Sequence, residues 1–488
     1  MPDSHIQPAF RPPVSIWSAG IATAALGTWI MFDAEPGLNW VIWTFAAAIG
    51  LFAFIRSGFS MSSPVTWLSI LAVVIAGGAS ITADPFLSGL ICLSVILLLA
   101  VSMLLSVDAR VERIKATYVL FAAPIAFVLA LAESLRRAAE ALQLVRSPRA
   151  RAIVRGVAIT VPIVFIFALL LSTADPTFAL WRKTIEDLIA DWAFIPRTIF
   201  FIGMLGIVLG AFGYAERGHV AAVPSITPPI ALSGIDSKGW LGSTERLILM
   251  GGVALLFWLY LAVQLSYFFG NLPSIVGSGM TFAEYARRGF GELSVVASFS
   301  AVLIILAERY GKKDERRGLV KMITMSVIVA VFLLLSSAFH RVSLYEEAYG
   351  YTTARLYAQA YMIVVAISLV ALIREVLTTL EPPRLFLRAW MAAALTFVVL
   401  IYWNHQAWIA NRNIDLFAST GKLDTVYLTR DLSGDAIPTI VRRLPELSEP
   451  VKSQLMQAVK VRYARPHTDQ WFEWNLGRER ARAALVGL

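Results

Sequence analysis

TYVLFAAPIAFVLALA, residues 117–132, decides the topology of a chain that otherwise reads as a series of membrane spans. The run is apolar but short. Pro124 lies near its middle, with Arg110, Arg113 and Lys115 before it and Arg136, Arg137 and Arg146 after it. A helix needs roughly 17–25 predominantly apolar residues to cross a bilayer, and about eleven other runs meet that requirement. They are residues 14–32, 38–55, 64–82, 86–106, 153–172, 198–215, 247–270, 290–307, 319–339, 356–373 and 389–404. If 117–132 does not cross, about 23 Lys and Arg fall on the side of the N-terminus and about 7 opposite, tail excluded, as the positive-inside rule requires. If it crosses, every later loop flips and the division becomes about 12 against about 18. The first arrangement is preferred. Residues 117–132 are then a re-entrant or interfacial segment, tolerated where its backbone groups stay paired.

Composition supports the same class. Of 488 residues, 58% are hydrophobic and only 15% charged, against roughly one quarter charged in ordinary soluble domains. The net charge of +9 belongs to cytoplasmic loops rather than to nucleic-acid binding, because Lys and Arg collect there in polytopic proteins. A single cysteine, Cys92, excludes an internal disulfide and a multi-cysteine zinc site. The first run exceeds a signal-peptide core and reads as a retained span. The expected fold is therefore all-α: a polytopic helical membrane bundle with a small C-terminal extracytoplasmic helical domain, N-terminus inside and C-terminus outside.

The chain divides into four parts. Residues 1–135 hold four spans and the re-entrant segment. Residues 136–246 hold two spans, an outer amphipathic helix in FALWRKTIEDLIADWAF (178–194) and a Pro/Gly/Ser-rich cytoplasmic linker. Residues 247–404 are a five-span core. Residues 405–488 are an outer tail, with helices expected over 433–444, 448–464 and 468–486; without a disulfide it needs the membrane core for part of its burial. The tetrapeptide Thr-Ala-Asp-Pro occurs at 82–85 and at 173–176. Asp before Pro starts a helix by local chemistry, so this explains the recurrence better than a structural repeat does.

Three charged stretches gather on the outer side. In TFAEYARRGFGEL, Glu284, Arg288 and Glu292 form an i, i+4, i+8 ladder beside Arg287. In FHRVSLYEEAYGYTTARLYAQ (339–359), His340, Arg341, Glu346, Glu347, Tyr349 and Arg355 stand between two apolar runs, with Gly350 expected to end one helix and Thr352 or Thr353 to cap the next. After the last span come Asn404, His405, Gln406, Asn411, Arg412, Asn413 and Asp415. Ionisable groups at a bilayer edge are costly enough to have partners or a task. The candidate cluster is therefore Glu284, Arg287, Arg288, Glu292, His340, Arg341, Glu346, Glu347, Tyr349, Arg355, Asn411, Arg412 and Asp415, to which the helix-starting Asp84 and Asp175 are added. Structural pairing explains each stretch as readily as a ligand site does. The sequence carries no nucleotide loop, serine-hydrolase elbow, zinc-protease helix or calcium loop. No catalytic residue, metal or cofactor is assigned.

QLSYFFG (264–270), TFAEYARRGFGEL, LYEEAYGYTTARL and GKLDTVYLTRDLSGDAIP (421–438), with STADPTFAL from Ser172, resemble the uncharacterised bacterial membrane family labelled domain of unknown function DUF 4173, close to DUF 4153. The resemblance covers roughly the last two-thirds of the chain. It departs at Asn271, where a second glycine is expected after Gly270. It implies a bacterial inner-membrane protein and supplies no catalytic residues.

Three functions compete on these grounds. The first is a non-enzymatic transporter or envelope accessory protein whose outer cluster binds a polar solute, a lipid headgroup or a protein. The second is an enzyme on a lipid-linked substrate, by analogy with polytopic glycosyltransferases and using Asp33 and Glu35, although that loop is short for such enzymes. The third is a sensor or scaffold whose tail docks an envelope partner through arginines such as Arg442 and Arg478.

Overall fold

The computed structural model describes residues 15–55, 60–107, 122–143, 194–217, 242–269, 290–309, 317–378, 381–463 and 470–486. Every regular element among them is helical. In chain order the helices are α1 (Ile16–Met31), α2 (Leu38–Phe54), α3 (Pro64–Ala79), α4 (Pro85–Leu105), α5 (Ala122–Gln143), α6 (Phe194–Arg217), α7 (Ser243–Phe269) and α8 (Phe290–Arg309). They continue with α9 (Arg317–Tyr349), α10 (Thr353–Leu377), α11 (Pro382–Tyr402), α12 (His405–Thr420), α13 (Ile437–Arg443), α14 (Val451–Tyr463) and α15 (Leu476–Leu485). All the expected apolar runs carry helices except 153–172, which lies outside the described residues, as does the amphipathic stretch before Phe194. By length and composition, six of the described helices can cross a membrane: α4, α6, α7, α9, α10 and α11. Helices α1, α2, α3 and α8 are shorter apolar helices. Helical spans suit a bilayer because each satisfies its own backbone where no water can. The protein is an all-α helical membrane protein.

The chain packs as two compact units, one formed by Met1–Ile81, Phe86–Ser225 and Thr468–Leu476, the other by Thr82–Pro85, Ile226–His467 and Gly477–Leu488. In the first unit α6 packs against α1, α2 and α5. The α5–α6 contact is backbone-close: a Cβ added at Gly210 would lie 1.9 Å from the Ala130 carbonyl oxygen. Only a glycine permits that approach, the small-residue device of membrane helix pairs. Phe54 and Phe212 stack at 5.5 Å beside it.

Helix α5 begins inside the run 117–132 but continues to Gln143, eleven residues beyond the expected end at Ala132. The extension is possible because its charges find partners. Buried Glu133 is held by Arg136, Arg137 and Arg217, and Arg137 also meets Glu216. Helix α5, over its described residues, is not among the six long and apolar enough to cross.

The tail segment 470–476 belongs to this unit and clamps two span ends. The Glu35 amide donates to Glu473 Oε1 at 2.9 Å and the Leu38 amide to the Trp474 carbonyl at 3.1 Å. Asn475 Nδ2 donates to the Ala79 carbonyl and the Leu476 amide to that of Ser80, both at 2.8 Å. The turn before α2 and the end of α3 therefore lie at one end of the unit. The same bonds correct the expected single helix over 468–486. The described part is a turn at Trp471–Glu473 followed by α15, because Trp474 and Asn475 bond to the span ends instead of continuing a helix.

In the second unit, α7, α8, α9 and α10 share an aliphatic core that includes Met250, Ile304, Ile328, Leu334, Met362 and Leu369. Buried Glu375 pairs with Arg388 and accepts the Glu381 amide at 3.0 Å, fixing the α10–α11 turn. A separate core joins α12, α13, α14 and α15 through Ile409, Leu428, Ile440, Leu455 and Ala481, with Leu356 of α10. The helices of the tail thus have their own apolar centre, which Leu356 of α10 joins.

Candidate functional site

Helix α9 runs 33 residues and carries the charged stretch with it, ten residues past Phe339. Gly350, at φ +86°, ends it, and Thr352 caps α10 by accepting the Arg355 amide. The three-residue break at Gly350, Tyr351 and Thr352 falls where the glycine and the cap were expected, and it separates Glu347 from Arg355. Asn413 of α12 stabilises that turn. Its Oδ1 accepts the Tyr351 amide at 2.7 Å and its Nδ2 donates to the Tyr351 carbonyl at 2.8 Å. The Thr353 amide donates to the Tyr427 hydroxyl at 2.8 Å.

Below the turn, Glu346 is 3% exposed. Its Oε2 accepts from Gln359 Nε2 at 2.8 Å, while among the described residues its Oε1 has no hydrogen-bond partner. The nearby cation looks elsewhere: the Arg355 guanidinium donates to the Gly350 carbonyl and lies 4.1 Å over the Tyr345 ring. A buried carboxylate oxygen without a donor loses its hydration without compensation, a cost of about 1–3 kcal/mol or more for a charged group.

Beside the head of α10, two further carboxylates are buried, each with several donors on one oxygen. Asp84 Oδ2 accepts from Gln406 Nε2 at 2.6 Å and from the Tyr357 hydroxyl at 3.1 Å. His405 Nε2 lies 3.1 Å from the same hydroxyl and 4.0 Å from Asp84. Asp435 Oδ2 accepts from the Thr82 hydroxyl and the Ala83 amide, both at 2.8 Å, and from the Ser433 hydroxyl at 3.2 Å. Gln406 Oε1 accepts the Ser433 amide, which joins the two halves. Burial, only partly offset by these donors and reinforced by the charge of Asp84, pushes the Asp435 carboxyl above the usual carboxylate range. The packing leaves no slack: a Cβ at Gly477 would sit 2.0 Å from Asp435 Oδ1. This network is a latch between the 82–85 turn, the start of α10, the start of α12 and the tail.

The structure distributes the expected cluster over several places. Glu284, Arg287, Arg288 and Asp175 lie outside the described residues, as does the side chain of Glu292. Glu346, Arg355 and Tyr349 gather at the α9–α10 turn, Tyr349 packing on Tyr345 with ring centroids 5.0 Å apart. Arg341 is buried on α9, whereas His340 and Glu347 are exposed. Asn411 and Asp415 gather around Arg443 instead, accepting from it at 2.8 and 2.5 Å, and Arg412 lies over Trp408 at 5.5 Å. Among the described residues no hydrogen bond joins Arg355 to Asn411, whose donors and acceptors serve α13 and its own helix. Asp84, expected as a helix start, does immediately precede α4, but its carboxylate also anchors the latch. Sequence reasoning does not single out Tyr357, Gln406 and Asp435 as a group. Their only signal is membership in short motifs, the run after the last span and SGD within the tail.

Among the described residues no group of His, Cys, Asp or Glu is placed to hold a metal ion. No curated protein and no solved structure matches the chain. A family model matches residues 69–443, from within α3 through the end of α13, and this agrees with the resemblance read in the motifs. The chain belongs to the family described as Domain of unknown function (DUF4153).

Proposed function

We propose that this is a non-enzymatic bacterial inner-membrane protein, N-terminus cytoplasmic and C-terminus outside, that binds a polar ligand at the α9–α10 turn as a transporter or envelope accessory protein. Glu346 carries the reading. Glu375, a buried carboxylate elsewhere in the second unit, has a donor on each oxygen, but among the described residues Glu346 Oε1 has none. A donor-bearing, positively charged group supplies what that oxygen lacks. Among the described residues Arg355 donates to a carbonyl and lies over a ring face, which leaves donors for an accompanying anion. The oxygen is closed off from solvent, so a ligand reaches it when the turn at Gly350 opens.

Native mass spectrometry of protein extracted in mild detergent tests this. Wild type should carry a polar adduct that is missing from Glu346→Gln and reduced in Arg355→Ala. Equal occupancy in both folded variants would contradict the reading.

A further inference from the structure

A groove of about 410 Å³ runs between α9 and α10, within the range of small-molecule sites. It is two-sided. Phe339, Ile363 and Ala366 give it an apolar wall, while Ser336, His340 and Ser343 give it a polar one. The polar residues are spaced i, i+4 and i+7 on α9, and Glu347 continues the stripe at i+11. Glu347 is exposed, and among the described residues it has no hydrogen-bond or ion-pair partner. Neither Glu346 nor Glu347 lines the groove itself; Glu347 stands one turn beyond Ser343, past its mouth, and Glu346 is buried, so a ligand in the groove is independent of the polar site at the α9–α10 turn.

The register against a bilayer identifies the occupant. The apolar run 319–339 of α9 is about 30 Å long at 1.5 Å per residue, the thickness of a hydrocarbon core. The wall at Phe339, Ile363 and Ala366 therefore lies in the hydrocarbon of the leaflet at this end, and His340 marks its edge. Glu347 stands about 12 Å further along the helix than Phe339, at headgroup depth. A molecule filling this space has an aliphatic chain beside the apolar wall, hydrogen-bonding groups along the serines, and a head that meets an imidazole and then a carboxylate. The carboxylate selects for a head that donates N–H. A primary ammonium donates three such bonds, whereas a quaternary ammonium of equal charge donates none.

We infer that the α9–α10 groove is a binding site for a bilayer phospholipid with a primary-amine headgroup, its phosphate beside His340 and its ammonium on Glu347. The test is native mass spectrometry of detergent-purified full-length protein offered equimolar phosphatidylethanolamine, phosphatidylcholine and phosphatidylglycerol. Wild type should retain phosphatidylethanolamine over phosphatidylcholine by about tenfold, the worth of one charge-assisted bond. Glu347→Gln should bring that ratio close to one. Ala366→Phe, which fills the groove, should lose retained lipid of every kind; Val370→Phe, one turn along α10 and outside the groove, controls for folding and should keep it. Equal retention of the three lipids by wild type overturns the inference, as does wild-type retention by Ala366→Phe. A disulfide-linked dimer through Ser336→Cys in a Cys92→Ser background also overturns it, because the groove would then be covered by a second copy. Loss of the polar adduct in Glu346→Gln with unchanged lipid selectivity would leave the Glu346 reading standing whatever the groove binds.

Discussion

At the scale of single residues, two buried carboxylates of the second unit show opposite chemistry. Asp435 has three donors on one oxygen, and its raised pKa fixes the sign of a pH effect. A carboxyl whose folded pKa exceeds its unfolded value, about 3.9, adds stability that is complete below that value and is lost as pH rises through the folded one. Thermal unfolding in detergent from about pH 4 to about pH 7 should therefore show a decline for wild type that Asp435→Asn lacks. Thr82→Val removes one donor to this carboxylate and should cost about 1.5–3 kcal/mol. Glu346 should behave in the reverse way. Replacing a buried, half-partnered carboxylate by its neutral isostere removes a desolvation cost, so Glu346→Gln should melt at or above the wild-type temperature while losing its adduct. A lower melting temperature would assign Glu346 a structural role. The sequence marks Glu346 as a charge beyond the end of an apolar run. It has no means of telling which oxygen lacks a donor, since that depends on where Arg355 turns.

At the scale of elements, glycines set the closest approaches. Gly350 needs its positive φ to end α9, and a Cβ there would also meet Asn413 Oδ1 at 2.7 Å. Gly350→Ala should lower stability by about 1–3 kcal/mol and loosen the α9–α10 turn, read as faster amide exchange at Tyr351 and Thr353. Gly477→Ala should cost a similar amount, about 1–3 kcal/mol, by pressing on Asp435. The helices themselves are legible because apolar runs of membrane length admit little else. Their ends are less so. Helix α5 runs past the expected boundary because tertiary partners accept charges that hydropathy counts as exposed, and Trp474 and Asn475 break the last helix for bonds to residues some four hundred positions earlier. Periodicity has no access to such distant partners.

At the scale of the whole molecule, each unit gathers polar contacts at its own span ends. In the first unit the tail holds the turn before α2 and the end of α3. In the second, Asp84 just before α4 meets the start of α10 and the residues after α11. Residues bonded to one another at span ends lie on one side of a membrane. Sidedness with respect to the cell rests on the positive-inside count, and it underlies every proposal about the polar face. Labelling of single cysteines in a Cys92→Ser background with a membrane-impermeant maleimide on intact cells tests it most directly. Glu347→Cys and Asp415→Cys, both exposed, should label from outside, and Met61→Cys, exposed between α2 and α3, only after permeabilisation. Labelling of Glu347→Cys and Asp415→Cys from opposite sides, or of Met61→Cys on intact cells, would contradict this topology.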